Sequence, residues 1–83
     1  MIEPAASPRA MIEYIAKAIV DAKGDVFIDE YEDGDETVIE LEVAEADLGK
    51  VIGRSGRVAR ALRNVLSAAG SKLNKHYALE IIE

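Results

Sequence analysis

Gly53-Arg54-Ser55-Gly56 lies between two stretches of helical pattern, and no other segment restricts the fold of this chain as strongly. Two glycines around two interior residues let the backbone bend sharply and lie close to another surface. Behind the turn, Arg57, Arg60 and Arg63 recur in a run patterned as an amphipathic helix, so a helix start meets the turn. The unbonded N–H groups and positive dipole end of that start suit a phosphate-bearing ligand. The competing reading is a plain connection between two helices.

Around this turn the chain divides into short elements. Residues 1–6 read as a loose leader. Ser7 followed by Pro8 is an N-cap with proline at the first helical position. Met11, Ile12, Ile15, Ala18, Ile19 and Ala22 then recur at helical spacing up to Gly24, a natural stop, which predicts a helix over about residues 8–22. Two β-rich runs, 26–31 and 37–43, flank Asp33-Gly34-Asp35 and predict a hairpin, since glycine supplies the positive φ of a tight turn. In the second run Ile39, Leu41 and Val43 alternate with Glu40 and Glu42, so one sheet face is buried and the other acidic and wet. Phe27 and Tyr31 stand among those carboxylates and read as partly packed residues rather than base-stacking ones.

Residues 45–51 form a short helix with Glu45 and Asp47 in its first turn. The helix behind the glycine turn runs over about 57–69, with Gly70 as its terminator and Val58, Leu62, Val65, Leu66 and Ala69 on its inner face. Arg57, Arg60 and Arg63 fall on the remaining, solvent-facing circumference. A last strand, 77–82, completes the order α-β-β-α-α-β. This is an α+β fold, a three-stranded sheet with helices on one face, in one domain spanning residues 1–83.

The net charge of −6 argues at first against a polyanionic partner, but its distribution does not. Residues 1–47 hold 14 acids and 3 bases, whereas residues 48–83 hold 7 bases and 2 acids, and no acid occurs between Lys50 and Lys75. A phosphate responds to the charges within a Debye length of about 8 Å, not to the total. The asymmetry also has a bland reading as an aid to solubility.

Several classes are disfavoured. Without cysteine there is no disulfide framework or thiolate metal site. The start lacks the pattern of a signal peptide, no apolar run is long enough to span a membrane, and a reducing cytoplasm suits the composition. The segment from Gly49 to Gly56 matches neither G-x-x-x-x-G-K-[ST] nor G-x-G-x-x-G. The single histidine, His76, and the dispersed carboxylates assemble no acid–base or metal constellation, so no enzyme activity, cofactor or metal is expected.

A G-x-x-G turn between helices, preceded by Val51-Ile52 and followed by a basic helix, resembles the KH module, whose turn clamps four backbone nucleotides. With only 13 residues after Gly70, and an extra helix and strand before the core, the order resembles the type II arrangement. The likeness extends over nearly the whole chain to the small bacterial single-domain KH proteins of the KhpA type. It is carried by residues 13–21 in the first helix, 47–57 around the turn and 79–83 at the end. Ser55 and Val58 depart from the Gln and Thr often seen at those places, which bears on sequence preference rather than on the turn. The resemblance implies a cytoplasmic RNA chaperone linked to cell-envelope growth and cell length. It also implies pairing, as a homodimer or with a larger KH-containing protein.

Two functional readings follow. In the first, Gly53 and Gly56 let the backbone approach single-stranded RNA while Lys50, Arg54, Arg57 and Arg60 neutralise its phosphates. Ile52 contributes to the groove floor, and Ser55 lies inside the turn. In the second, the domain is a protein-interaction or dimerisation module that works through its hairpin and acidic sheet face.

Overall fold

The computed structural model describes residues 7–83; the leader expected over residues 1–6 lies outside them. The first helix, α1 (Pro8–Ile19), starts as its sequence requires: the Ser7 hydroxyl accepts the Ala10 N–H at 3.1 Å, with proline at the first helical position. It ends three residues earlier than its apolar spacing predicts. The N–H groups of Asp21 and Ala22, which would extend the helix, instead donate to the carboxylate of Asp47. Gly24 lies beyond the end, in a short 3₁₀ turn at Lys23–Asp25.

Strands β1 (Phe27–Asp33) and β2 (Glu36–Glu42) form the expected hairpin, pairing antiparallel in a register that leaves Gly34 and Asp35 as the two-residue connection. Gly34 has φ 63°, a value that glycine reaches without penalty. The chain then turns through 3₁₀ residues Glu45–Asp47 into α2 (Leu48–Ile52), crosses the glycine turn and enters α3 (Arg57–Leu73). The last strand, β3 (His76–Ile81), lies parallel to β2. A parallel neighbour cannot be reached by a hairpin, and the α2–turn–α3 segment is the crossover. The strand order β1-β2-β3 makes β2 the central strand of a mixed sheet.

The helices cover one face of that sheet. Ile39 and Leu41 of β2, both fully buried, meet Ile12 and Ala16 of α1, Val51 of α2, Leu62 and Leu66 of α3, and Leu79 of β3. Two expected inner faces are met in part: Ile12 and Ile15 of α1 and Val58, Leu62 and Leu66 of α3 pack in or against the core, and the rest differ. On α3 the buried stripe is Ala59, Leu62, Leu66 and Gly70, while Val65 is exposed. On α1 it is Pro8, Ile12 and Ala16, and Ala18 and Ile19 are exposed. In both helices small residues, Ala16 in α1 and Ala59 and Gly70 in α3, are among the buried ones.

Gly70 does not terminate α3. A Cβ on it would lie 2.5 Å from the Lys75 carbonyl oxygen and 2.9 Å from Tyr77 Cδ2, so glycine is needed here for space. The helix ends at Asn74, in the left-handed region at φ 59°. The Asn74 N–H donates to Ser71 and the Lys75 N–H to the Gly70 carbonyl at 2.8 Å, the paired bonds of a Schellman cap.

Candidate nucleic-acid interface

The two glycines of the turn serve different physical needs. Gly53 has φ 79° and ψ 169°, a conformation essentially closed to residues with a Cβ. It also packs so tightly that a Cβ would lie 2.5 Å from Val58 Cγ2 and 2.7 Å from the Val58 nitrogen. Gly56, at φ 75° and ψ 17°, is left-handed but faces open space, its nearest neighbour being Arg60 Nη1 at 3.8 Å. Ser55 between them is also left-handed, at φ 57° and ψ 25°. The Gly53 N–H donates to Gly49 and the Gly56 N–H to Gly53, which closes the turn tightly against the start of α3.

That start is unfavourable for the fold itself. Its first turn holds no acid and its N-cap supplies no side-chain oxygen, yet Arg57 and Arg60 sit there at the positive dipole end. Arg54, Ser55, Arg57, Arg60 and Arg63 are exposed, Ile52 and Gly56 half-buried. Among the described residues, none of the four arginines is ion-paired. The Arg60 guanidinium folds back to donate to the Ser55 carbonyl at 3.1 Å, and Arg63 donates to the Leu79 carbonyl at 3.3 Å. Arg54, Arg57 and Arg60 thus surround the turn, while Arg63 is directed to β3.

Lys50 differs from these arginines. Its Nζ lies 2.9 Å from Asp21 Oδ2 and 3.0 Å from Asp47 Oδ1. Asp47 is only 2% exposed. Its carboxylate also accepts the Ala22 N–H at 2.9 Å and the Asp21 N–H at 3.2 Å. The Ala22 amide, followed by Lys50, holds the Asp47 carboxyl below the ordinary carboxylate range, and the two carboxylates hold the Lys50 ammonium above its own. The sequence places Asp47 at a helix start; its ties to Asp21 and Ala22 are long-range, and only the i,i+3 spacing to Lys50 hints at them.

The opposite sheet face carries the other sign. Strand alternation places Phe27, Asp29, Tyr31 and Asp33 of β1 on it, with Glu36, Val38, Glu40 and Glu42 of β2 and Glu80 of β3. Asp29, Glu40 and Glu80 are direct cross-strand partners, a row of three carboxylates. Desolvation and the neighbouring Glu80 push the Glu40 carboxyl up. Tyr31 donates to Glu80 Oε1 at 3.3 Å. Phe27 is 59% exposed, less packed than its sequence context predicts, because it stands on this open face opposite Glu42.

A G-x-x-G turn joining two helices that pack, with a third, on one face of a mixed α-β-β-α-α-β sheet defines a KH domain of type II arrangement. The chain belongs to the KhpA/KhpB family: the family described as KhpA/KhpB, KH domain, matches residues 9–81. It is 51% identical over 73 residues to the RNA-binding protein KhpA of Aquifex aeolicus, covering 88% of this chain and 92% of the relative. It is 45% identical over 75 residues to the protein of the same name from Halalkalibacterium halodurans, covering 90% and 99%. No solved structure gave a significant match. The family is not an enzyme family. Among the described residues no helix is long and apolar enough to cross a membrane, and no group of side chains has the arrangement of a metal site.

Proposed function

We propose that this chain is an RNA-binding protein that grips single-stranded RNA at the Gly53–Gly56 turn. The observation that carries the reading is a glycine-built turn set on an uncapped helix start and surrounded by three arginines with no acidic partner among the described residues. Relatives at 42–51% identity carry the name RNA-binding protein KhpA. Gly53 and Gly56 bring the backbone to the sugar-phosphate, Arg54, Arg57 and Arg60 neutralise it, and Ile52 lies under the bases. Few side chains at the turn reach base edges, so sequence preference is broad, which suits an RNA chaperone of the cytoplasm. The test is the double substitution Arg54→Asp and Ser55→Asp, which moves the turn from +1 to −2 while keeping both glycines. Asp tolerates the left-handed conformation at position 55 better than most residues. RNA binding is expected to vanish with thermal unfolding little changed; unchanged RNA affinity would make the turn a mere connector.

One KH turn holds about four nucleotides, and pairing of two domains raises avidity by about a hundredfold or more without new contacts. We therefore include in the proposal that the protein works as a homodimer or beside a larger KH-containing partner. Sedimentation that finds only monomer at high concentration, and failure to bind any KH-domain protein, would remove this part. The second reading, a protein-interaction module, is favoured by the Asp29–Glu40–Glu80 row beside exposed Phe27. Like charges directly opposite on neighbouring strands cost stability, and a cationic partner surface would relieve that cost.

A further inference from the structure

We propose that Asp47, with Lys50 and Asp21, forms a clasp that positions the glycine turn, and that Lys50 serves this clasp rather than contacting RNA; the effect on RNA rests on the binding reading above. The helix that carries Gly53 is α2, only five residues long. A helix this short is not stable alone and takes its position from what holds it. Val51 anchors it in the core, fully buried. Its N-terminal end is held by the Asp47 carboxylate.

A carboxylate taken out of water is costly unless donors satisfy it. Asp47 receives three: the Asp21 and Ala22 amides at 3.2 and 2.9 Å and the Lys50 ammonium at 3.0 Å. The two amides belong to the chain just past α1, so one side chain both ends α1 and fastens α2 beside it. Lys50 has its ammonium shared between two carboxylates, a local charge sum of −1. A phosphate arriving there meets net negative charge, whereas at Arg54 or Arg57 it meets a cation with no acidic partner among the described residues.

Charge and positioning predict opposite signs for one substitution. Asp47→Asn removes a negative charge from the residue just before the helix that carries the turn, so charge alone predicts tighter RNA binding. Positioning predicts weaker binding: if the competent fraction of turns falls to about one tenth, apparent affinity falls about tenfold. We would titrate wild type, Asp47→Asn, Asp21→Asn and Lys50→Gln against a labelled random-sequence RNA about eight nucleotides long, twice what one turn clamps. Titrations run across a salt series, with amide exchange of Gly53, Gly56 and Leu66 followed by NMR.

The expected result is about tenfold weaker binding for Asp47→Asn, a smaller loss in the same direction for Asp21→Asn, and faster exchange at Gly53 and Gly56 but not at Leu66. For Lys50→Gln the affinity falls and the slope of log K against log[salt] stays constant. Binding of Asp47→Asn as tight as wild type or tighter overturns the proposal. So does a slope smaller by about 0.7 for Lys50→Gln, the signature of a lost phosphate contact. Asp21 is a surface side chain, so Asp21→Asn decides the matter if Asp47→Asn fails to fold. If wild type binds no RNA, the functional reading falls while amide exchange still judges the clasp: unchanged exchange at Gly53 and Gly56 overturns it.

Discussion

The basic turn and the acidic sheet face carry opposite charge and are built by opposite means. At the turn the backbone does the shaping: three positive-φ residues within four positions, Gly53, Ser55 and Gly56, give it a form few sequences can adopt. At the sheet the backbone is regular and only the choice of side chains matters, since alternate residues point to this face and Asp29, Glu40 and Glu80 fall into one row. Both regions carry a local cost, left-handed or strained backbone at the turn in one and opposed carboxylates in the other. The first cost is embedded in conformation and close packing. The second is held in side chains that can be exchanged without moving a strand.

Substituting the glycines tests that distinction most severely. Gly53→Ala meets both a forbidden conformation and a steric overlap with Val58, and is expected to cost about 2–4 kcal/mol of stability. Gly56→Ala meets only the left-handed penalty, about 1 kcal/mol, because the space beside it is open. Urea unfolding of the two variants decides it. Equal losses would mean that Val58 yields and that the turn is less closely fixed than its geometry implies.

The next effect separates the regions by function rather than by stability. If three arginines each neutralise one phosphate, log K falls against log[salt] with a slope of about −2, and Arg57→Gln reduces that slope by about 0.7. Glu80→Gln, on the other face, leaves the slope where it was. Fluorescence titration over a range of salt measures both. An equal change in the two variants would show that binding responds to total charge and not to the patch around the turn.

Local features of this fold were legible in the sequence, and distant ones were not. Ser7-Pro8, the Asp33-Gly34-Asp35 hairpin and the glycine turn each carry their own chemistry within a few residues, and all three stand where they were expected. The end of α1 did not, because the groups that stop it are paired with Asp47, 25 and 26 residues away. The pairing of Lys50 was hidden for the same reason: Asp21 is 29 residues distant. Gly70 reads as a helix terminator from its neighbours alone, and only the approach of Lys75 and Tyr77 reveals its packing role. The inner faces of α1 and α3 were legible only in part, because Ala16, Ala59 and Gly70 contribute little apolar signal although all three are buried.

Two carboxylates extend the comparison to the pH scale, with opposite signs. Asp47 is held below the ordinary range by the Ala22 amide and Lys50. Its contribution is present above the ordinary aspartate pKa and is lost as pH falls through the lower value of the folded state. Glu40 is pushed up, first by desolvation and then by Glu80. On raising the pH, the unfolded chain releases this proton first, so stability falls between the ordinary glutamate pKa and the raised value of the folded state. Glu40→Gln is therefore expected to raise the melting temperature by a few degrees at neutral pH, the scale of one relieved cross-strand pair in a small domain. The gain should vanish at pH values where Glu40 is protonated in both states, since the acid and the amide are then alike in charge. Asp47→Asn should lower the melting temperature at neutral pH and flatten its decline on acidification. Melting curves from neutral to acid pH read all of these. A Glu40→Gln gain that persists in acid would assign the effect to packing instead of repulsion and would remove the charge basis for a cationic partner on the sheet face.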